Sequence, residues 1–198
     1  MPVAPDPRRP HPETFLTPGT PPALRLREDA WDLVAADGPV ITTAIHDGHL
    51  LRSALRDRVA LDEEARWREE DPLTGLLGQV GDVRLRVRTS RFEVDLNRPR
   101  DQAIYATPEA AWGLQVWASP LTEAERAASL ALYDRFYAMV GELIDRTVER
   151  WGCALLIDLH SYNHRRDGAH ADPAPQADNP DIELGVTTLD HARWGGTA

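Results

Sequence analysis

The spacing of apolar and polar residues along the chain predicts strands and helices in alternation. Two nearly unbroken apolar runs, VITTAIH at 40–46 and CALLIDLH at 153–160, are typical of strands that are covered on both faces. Residues 83–87 alternate apolar side chains with arginine, the period-two pattern of a half-exposed strand, and we expect 92–96 to continue or follow it. A last strand is expected within 181–189.

The strongest helix signal runs from about residue 122 to residue 151. Thr122 and Glu125 fit a capping box, and Gly152 fits a helix stop. A long amphipathic helix followed at once by an apolar strand indicates an α/β layered sheet in which that strand is central. The helix stripe consists of Leu132, Phe136, Val140, Leu143, Thr147 and Trp151. Weaker patterns predict helices over 23–36, 50–59 and 61–71.

Proline placement separates an arm from the body of the chain. Eight of the sixteen prolines lie in residues 1–22, where so many fixed φ angles and missing donors oppose a helix or a strand. We therefore predict a flexible arm over 1–22 and a single domain over 23–198. Residues 191–198 carry no helix or strand signal after an unfinished sheet, so we expect self-association as a homo-oligomer, or lower stability than in an extended chain.

Composition and charge exclude several classes of partner. The chain is 42% hydrophobic and 27% charged, as in soluble globular proteins, and no apolar run approaches the roughly 20 residues of a membrane helix. A formal net charge of −10 argues against nucleic acid, because a nucleic-acid binder must neutralise phosphates. The first residues lack the apolar region of a signal peptide, and the single Cys153 has no disulfide partner. We predict a cytoplasmic protein.

Two histidines stand where an apolar strand gives way to a polar loop. His46 ends the first core strand and His160 ends the later one, and open α/β sheets bind ligands outside the carboxyl ends of their strands. A neutral imidazole there is a good Zn²⁺ ligand, and Asp158 lies on the same strand face as His160 and is placed to support it. Either histidine alone fits an ordinary surface loop, but the pair favours a site.

A catalytic zinc site needs a third protein ligand and an open fourth position for water. The acidic triplet before Pro72 is one source of that ligand, although such a triplet also fits a solvated helix end. His49 is another, although it also fits a supporting group or the cap of the next helix. The candidates for the third ligand are thus His49, Glu69, Glu70 and Asp71.

The segment TSRFEVDLNRPRD at 89–101 surrounds apolar positions with arginines and polar side chains. A guanidinium fork suits a substrate carboxylate, and Asp95 is placed to hold one such fork. The alternative is a ladder of ion pairs on an edge strand. Further polar residues follow His160 in the segment SYNHRRDG, beyond what a turn requires. These two segments supply the predicted substrate-binding residues Arg91, Arg98, Asn163 and Arg165, and the family resemblance given next implies Asn97 beside Arg98.

These motifs resemble the N-formylglutamate amidohydrolase family. The resemblance rests on four segments in the same order as in the family, within about residues 38 to 190: His46 to His49, EEDP at 69–72, SRFEVDLNRPR at 90–100 and DLHS at 158–161. Members of the family usually read Pro-His-Ser-Gly in the first loop, whereas this chain reads AIHDGH, which indicates a divergent branch. The family is distantly similar to zinc carboxypeptidases and aspartoacylase-type deacylases.

The resemblance implies a three-layer α/β/α sandwich with a mixed central sheet of the phosphorylase/hydrolase-like type, here shortened at the carboxyl end. It also implies a metal-dependent amidohydrolase that cleaves an amide in a small acidic N-formyl- or N-acyl-amino acid with a zinc-activated water. His46 and His160 would bind Zn²⁺ with an acid of the triplet, to which we assign Glu70. Glu69 and Asp71 are then assigned to proton transfer. The alternative function is a catalytically impaired sensor that binds acylated amino acids.

Overall fold

The computed structural model describes residues 24–27, 30–185, 190 and 192. These residues fall into two compact units that divide between Tyr162 and Asn163. The predicted arm over 1–22 lies outside the described residues, and its separation from a single domain over 23–198 stays a prediction.

The first unit is built on a mixed five-stranded sheet. Its order is β1-β2-β4-β3-β5, in which β1–β2 and β2–β4 pair antiparallel while β4–β3 and β3–β5 pair parallel. The mixed sheet with helices confirms the predicted α/β class. The strands are β1 (Leu24–Arg27), β2 (Trp31–Ala35), β3 (Val40–Ala44), β4 (Val83–Val87) and β5 (Leu155–Asp158).

Four α-helices accompany the sheet in the described part of this unit: α1 (Ser53–Arg56), α2 (Glu63–Glu69), α3 (Thr74–Leu77) and α4 (Glu123–Trp151). Short 3₁₀ turns lie at Gly78–Val80, Arg100–Gln102 and Pro108–Ala111. The predicted helices over 50–59 and 61–71 are therefore present but shorter than expected. Asp62 accepts a hydrogen bond from the amide of Ala65 and begins α2.

Helix α4 confirms the sequence prediction at both ends. The Thr122 side chain accepts from the Glu125 amide while Glu125 accepts from the Thr122 amide, and Gly152 ends the helix at φ 74°. Its buried stripe packs against the sheet, with Phe136 edge-on to Trp31 at 5.9 Å between ring centroids. Trp151, expected in that stripe, is 41% exposed because it lies at the end of the helix.

The two faces of β3 are covered by different elements, as expected for three layers. Ile41 belongs to the core cluster that α4 completes. Thr42 points to the other face, where its hydroxyl donates to the Gly78 carbonyl at 2.7 Å. Gly81 lies close on the same side, since a Cβ there would come within 2.5 Å of the Thr42 hydroxyl.

Two sequence predictions of local structure are wrong. Residues 23–36 contain strands β1 and β2, not a helix, and the alternation LRLR in β1 is a period-two pattern that helical spacing does not explain. Residues 92–96 form no strand. They fold into buried turns after β4, held in part by a hydrogen bond from the Asp95 amide to the Ala103 carbonyl at 2.7 Å.

Strand β5 was expected to be central, and it lies instead at one end of the described sheet. Its side chains are exposed along its whole length, including 54% of Leu155 and 38% of Leu156. An apolar run alone does not separate a strand covered on both faces from an apolar edge strand, because both have the same composition.

The second unit begins at Asn163 and contains one 3₁₀ turn in its described part, Gln176–Asp178. Arg166 donates to Asn179 at 3.0 Å, and the Ala174 amide donates to the His164 carbonyl at 2.8 Å. Residues 181–185 form no strand, and 186–189, the rest of the last predicted strand, lie outside the described residues. Among the helices described in the whole chain, none is long and apolar enough to span a membrane.

Candidate metal centre

The two predicted histidines lie at neighbouring strand ends. β3 and β5 run parallel, with Thr43 opposite Asp158, so the residues that follow them leave the sheet at the same edge. The Thr43 hydroxyl donates to Asp158 and ties the two ends together. His46 and His160 are thereby brought to 4.8 Å between ring centroids. This convergence was predicted from strand ends that are more than a hundred residues apart in sequence.

The loop after β3 is pressed against the end of β4. A Cβ at Gly48 would lie 2.2 Å from the carbonyl carbon of Arg88, so glycine alone fits this approach without displacing backbone. The Leu50 amide donates to the Arg88 carbonyl at 2.9 Å. As a result His46 is 1% exposed, whereas a surface-loop histidine would be open to water.

Asp71 completes the group. Its Oδ2 atom lies 2.9 Å from Nδ1 of His160 and 3.4 Å from Nδ1 of His46, and the candidate ligand atoms of the three residues all lie within 4.8 Å of one another. The Asp71 amide donates to the His46 carbonyl at 2.9 Å, which places the acid beside the histidine loop. Among the described residues this is the group that could hold a metal ion.

The electrostatics of the group suit a cation. Burial raises the pKa of Asp71, but its interactions with His160 and His46 outweigh burial and hold that pKa well below its usual range. Burial lowers the pKa of His160, but Asp158 and Asp71 outweigh it and raise the pKa to about 9. Nδ1 of His46 is buried and has no hydrogen-bond partner among the described residues. A buried imidazole nitrogen left open toward a carboxylate and a second histidine fits a metal ligand.

Each histidine is oriented by a further carboxylate. Nε2 of His46 hydrogen-bonds Oδ1 of Asp95 at 2.8 Å, and Nε2 of His160 hydrogen-bonds Oδ2 of Asp158 at 3.0 Å. Carboxylates behind the ring are the usual support of metal-bound histidines, since they fix the tautomer and the ring orientation. Ser161 donates to the other oxygen of Asp71 at 3.2 Å. The supporting position of Asp158 was predicted from sequence, whereas that of Asp95 beside His46 was not.

Glu70, to which the third ligand was assigned, faces away from the metal group. The backbone at Glu70 is extended, so its side chain and that of Asp71 point to opposite sides. Glu70 accepts hydrogen bonds from Ser90 and from Arg66, the latter at 3.3 Å, and hydrogen-bonds Nδ1 of His49. The structure therefore places Asp71, not Glu70 or His49, with the two histidines.

The two acids assigned to proton transfer are placed differently. Asp71 lies in the metal group itself. Glu69 pairs with Nε of Arg68 at 3.3 Å, and its carbonyl accepts from Arg91 at 3.0 Å. A role for Glu69 in proton transfer stays a prediction.

The predicted residues Arg91 and Arg98 differ in how many hydrogen bonds their guanidinium groups donate within the protein. Arg91 donates to Oδ2 of Asp95 at 2.8 Å, to the Tyr105 hydroxyl at 3.2 Å and to the Glu69 carbonyl. Arg98 is only 3.8 Å from Asp95 at its Nε atom, and its guanidinium makes no hydrogen bond to any described residue. Asp95 does hold an arginine fork, as predicted, and that fork belongs to Arg91.

Helix α4 holds the segment that carries Arg98. Tyr133 donates to the Arg98 carbonyl at 3.0 Å, Tyr137 donates to the Leu96 carbonyl, and Arg100 pairs with Asp134 at 2.6 Å. Asn97 is exposed, and its amide donates to Oδ1 of Asp95 at 2.8 Å. The segment is thus fixed by its backbone, which leaves the Asn97 and Arg98 side chains for other contacts.

Of four further residues, Asn163 and Arg165 were predicted from sequence, whereas Tyr105 and Trp112 were not. Asn163 and Arg165 belong to the second unit, where Arg165 donates to the Ala171 carbonyl, and their role in substrate binding stays a prediction. Tyr105 was missed: burial and the charge of Asp95 raise its pKa, so it stays protonated and donates to Asp95. Trp112 was also missed because its neighbours in sequence carry no motif.

The sequence model of the family described as N-formylglutamate amidohydrolase matches residues 38–194. The chain belongs to this family. No curated protein matches it significantly. The crystal structure of gene product Atu2144 from Agrobacterium tumefaciens resembles the fold, with a TM-score of 0.55 and 22% sequence identity over 74% of this chain. The chain spans 61% of the length of that protein. The match over 38–194 confirms the resemblance seen in the sequence motifs.

Proposed function

We propose that this member of the N-formylglutamate amidohydrolase family is a zinc-dependent hydrolase. Its substrate would be a small acidic N-formyl- or N-acyl-amino acid, and the bond cleaved would be the amide. The observation that carries the proposal is the convergence of His46, Asp71 and His160 at the ends of parallel strands. Family membership alone supports an amidohydrolase but does not specify the metal or the substrate.

The donor set supports zinc as the metal. Two imidazoles and one carboxylate are a ligand set of zinc hydrolases that keep a fourth position open. Zinc at this position would polarise an amide carbonyl and make water a stronger nucleophile at neutral pH. Asp95 would hold His46 so that Nδ1 faces the group, and Asp158 would hold His160.

Arg98 supports an acidic substrate. Its guanidinium lies next to Asp95, which in turn touches His46, so the cation is close to the metal group but is not consumed by a hydrogen bond to a described residue. An arginine fork with free N–H groups binds a carboxylate in two parallel hydrogen bonds. The carboxylate would fix the amino-acid part of the substrate, so that the amide is presented to the metal group.

Turnover of a substrate panel tests the proposal. We expect the zinc-loaded protein to hydrolyse N-formyl- or N-acyl-glutamate or aspartate, and to hydrolyse the matching leucine derivatives much more slowly. The His160→Ala variant serves as the metal-site control and should be inactive on every member of the panel. Binding of the acidic compounds without turnover in the zinc-loaded wild type would support the sensor function instead. Equal turnover of acidic and apolar derivatives would contradict the role of Arg98.

A further inference from the structure

Trp112 is one of two aromatic rings that lie against the Arg98 guanidinium. The guanidinium carbon of Arg98 lies 4.7 Å from the ring centroid of Tyr105 and 5.4 Å from that of Trp112. The two rings are themselves 5.5 Å apart, at 55°. Cations over aromatic faces are attracted by the ring quadrupole without using their N–H groups. The arrangement therefore orients Arg98 while leaving its donors free.

We propose that Trp112 is a positioning residue for Arg98 and, through it, for the carboxylate of an acidic substrate. The inference rests on the proposed function, because it assumes that Arg98 binds that carboxylate. Trp112 lies outside the segments that carry the family resemblance and has no place in the metal group.

The backbone at Trp112 supports a dedicated role. Trp112 has φ 54° and ψ 28°, a left-handed conformation that a bulky residue seldom adopts. It ends the 3₁₀ turn Pro108–Ala111, and the Gly113 amide closes the turn by donating to the Pro108 carbonyl at 2.7 Å. Burial does not account for this unfavourable conformation, since 56% of Trp112 is exposed.

The charges around Arg98 explain why an aromatic ring is needed beside it. Arg91 also lies over Trp112, at 4.8 Å, so two guanidinium groups share one aromatic ring. Arg91 is fixed by hydrogen bonds to Asp95, Tyr105 and the Glu69 carbonyl, whereas Arg98 has no such bonds to the described residues. Without the Trp112 ring, Arg98 would turn toward Asp95 or into water. Its fork would then have to be reordered when a carboxylate binds.

Calorimetric titration with glutarate tests the inference on the zinc-loaded full chain. Glutarate is a dicarboxylate that cannot be hydrolysed, so it reports binding alone. Trp112→Gly removes the ring while glycine keeps the left-handed turn without strain, and Trp112→Asn is a second ring-free variant that tolerates the same turn. Trp112→Phe keeps a ring. Trp151→Ala is the matched control, because Trp151 is another exposed tryptophan with an arginine over its ring, Arg150 at 5.2 Å.

We expect both ring-free variants to bind glutarate about tenfold more weakly than wild type, the scale of one partly exposed cation–π contact. Trp112→Phe should recover most of that loss, and Trp151→Ala should bind as wild type does. Because Trp112 acts through Arg98, Trp112→Gly should have no further effect in an Arg98→Ala background. Additive losses in the double variant would overturn the inference.

The outcomes separate the inference from the proposed function. If Arg98→Ala weakens glutarate binding and neither ring-free variant does, the role of Trp112 is wrong while Arg98 keeps its role. If wild type does not bind glutarate, or Arg98→Ala binds it equally well, Arg98 does not bind the carboxylate. The proposed role of Trp112 is then also refuted. Thermal unfolding of each variant identifies a misfolded protein, and the second ring-free variant then decides the test.

Discussion

Two histidine–carboxylate pairs, His46–Asp71 and His49–Glu70, lie close together in sequence but have different surroundings. His46 and Asp71 meet a second histidine, His160. Each pair keeps one buried ring nitrogen that has no hydrogen bond to a described residue, Nδ1 of His46 and Nε2 of His49. The second pair consists of His49, three residues after His46, and Glu70, the residue before Asp71. Nδ1 of His49 hydrogen-bonds Glu70 directly. Both oxygens of Glu70 accept hydrogen bonds, which come from His49, Ser90 and Arg66.

The two pairs differ in whether neighbouring residues satisfy the charge and the lone pairs of the carboxylate. Glu70 has a cation, Arg66, and a hydroxyl donor as partners, so its charge and lone pairs are satisfied within the protein. Asp71 has two imidazoles as partners, which can exchange a proton for a metal ion. Each pair joins a histidine to a carboxylate, so the further partner decides which site is open: Arg66 beside Glu70, and a second histidine, His160, beside Asp71.

Arg91 and Arg98 show the same contrast between a charged group that is satisfied within the protein and one that is left available. Arg91 donates hydrogen bonds to Asp95, Tyr105 and a backbone carbonyl, while Arg98 lies over aromatic rings and donates no hydrogen bond to a described residue. In both contrasts the candidate functional group is the one that the fold orients without consuming it.

Metal content is the most direct test of the first contrast. We expect about one zinc per chain in wild type, and loss of that zinc in Asp71→Ala and in His160→Ala, because each variant removes one of three protein ligands. Glu70→Ala should keep its zinc although it destabilises the fold. The measurement is metal analysis after dialysis against a weak chelator. Stoichiometric zinc in a variant that lacks both His46 and His160 would eliminate the site.

Lysine substitution tests the contrast between the arginines. Arg98→Lys should weaken transition-state binding of an acidic substrate by roughly 1.5 to 3 kcal/mol, the scale of a charged hydrogen bond, because lysine has no bidentate fork. The free energy of unfolding should hardly change. Arg91→Lys should instead lower stability, since its three hydrogen bonds are structural. Equal kcat/KM for wild type and Arg98→Lys would assign Arg98 to structure alone.

The pH dependence of the metal-free protein tests the open group. The pKa of His160 is raised from 6.5 to about 9 in the folded chain by Asp158 and Asp71, against the effect of burial. Its stabilising contribution is therefore complete below about pH 6.5 and is lost as the pH rises toward 9. Denaturant unfolding at several pH values should show this decline in wild type and a flatter profile in His160→Ala.

Zinc binding should have the opposite pH dependence over the same range. A metal ligand must be an unprotonated imidazole, so zinc competes with the proton on His160 and binds more tightly as the pH rises. The lowered pKa of Asp71 keeps that carboxylate charged throughout this pH range. Asp71 therefore does not contribute to the change of zinc affinity with pH. A zinc affinity that is constant between pH 6.5 and 9 would contradict the assignment of His160 as a ligand.

The smallest expected effect concerns the strand that carries His160. Strand β5 ends the described sheet and exposes Leu155 and Leu156, whereas β3 and β4 are paired on both sides. We expect self-association through this edge at high concentration, because an unpaired apolar edge invites another strand. Leu155→Lys should reduce the association measured by light scattering. Val148→Lys is the matched control at an exposed position on α4, and an equal reduction there would point to general surface charge.

Local sequence patterns were sufficient to predict helix α4, strands β3, β4 and β5, and the ends of those strands. The bounds of α4 followed from a capping box, a stripe at helical spacing and a terminal glycine, all of which act within a few residues. Strands β3 and β4 followed from apolar runs and alternation, and the position of His46 and His160 after their strands followed in turn. The helix expected over 23–36 failed because short segments of mixed pattern take their structure from the strand they pair with, here β4.

Which polar groups form the site depends on contacts that exist only in the folded chain. Glu69, Glu70 and Asp71 are equivalent acids in sequence, and the extended backbone at Glu70 turns adjacent side chains to opposite sides. Which side meets His160 depends on the parallel pairing of β3 with β5, a contact between residues 115 positions apart. The edge position of β5 and the stacking of Trp112 on Arg98 likewise depend on long-range contacts. Local patterns carry no information about such contacts, because their energy exists only once the chain has folded.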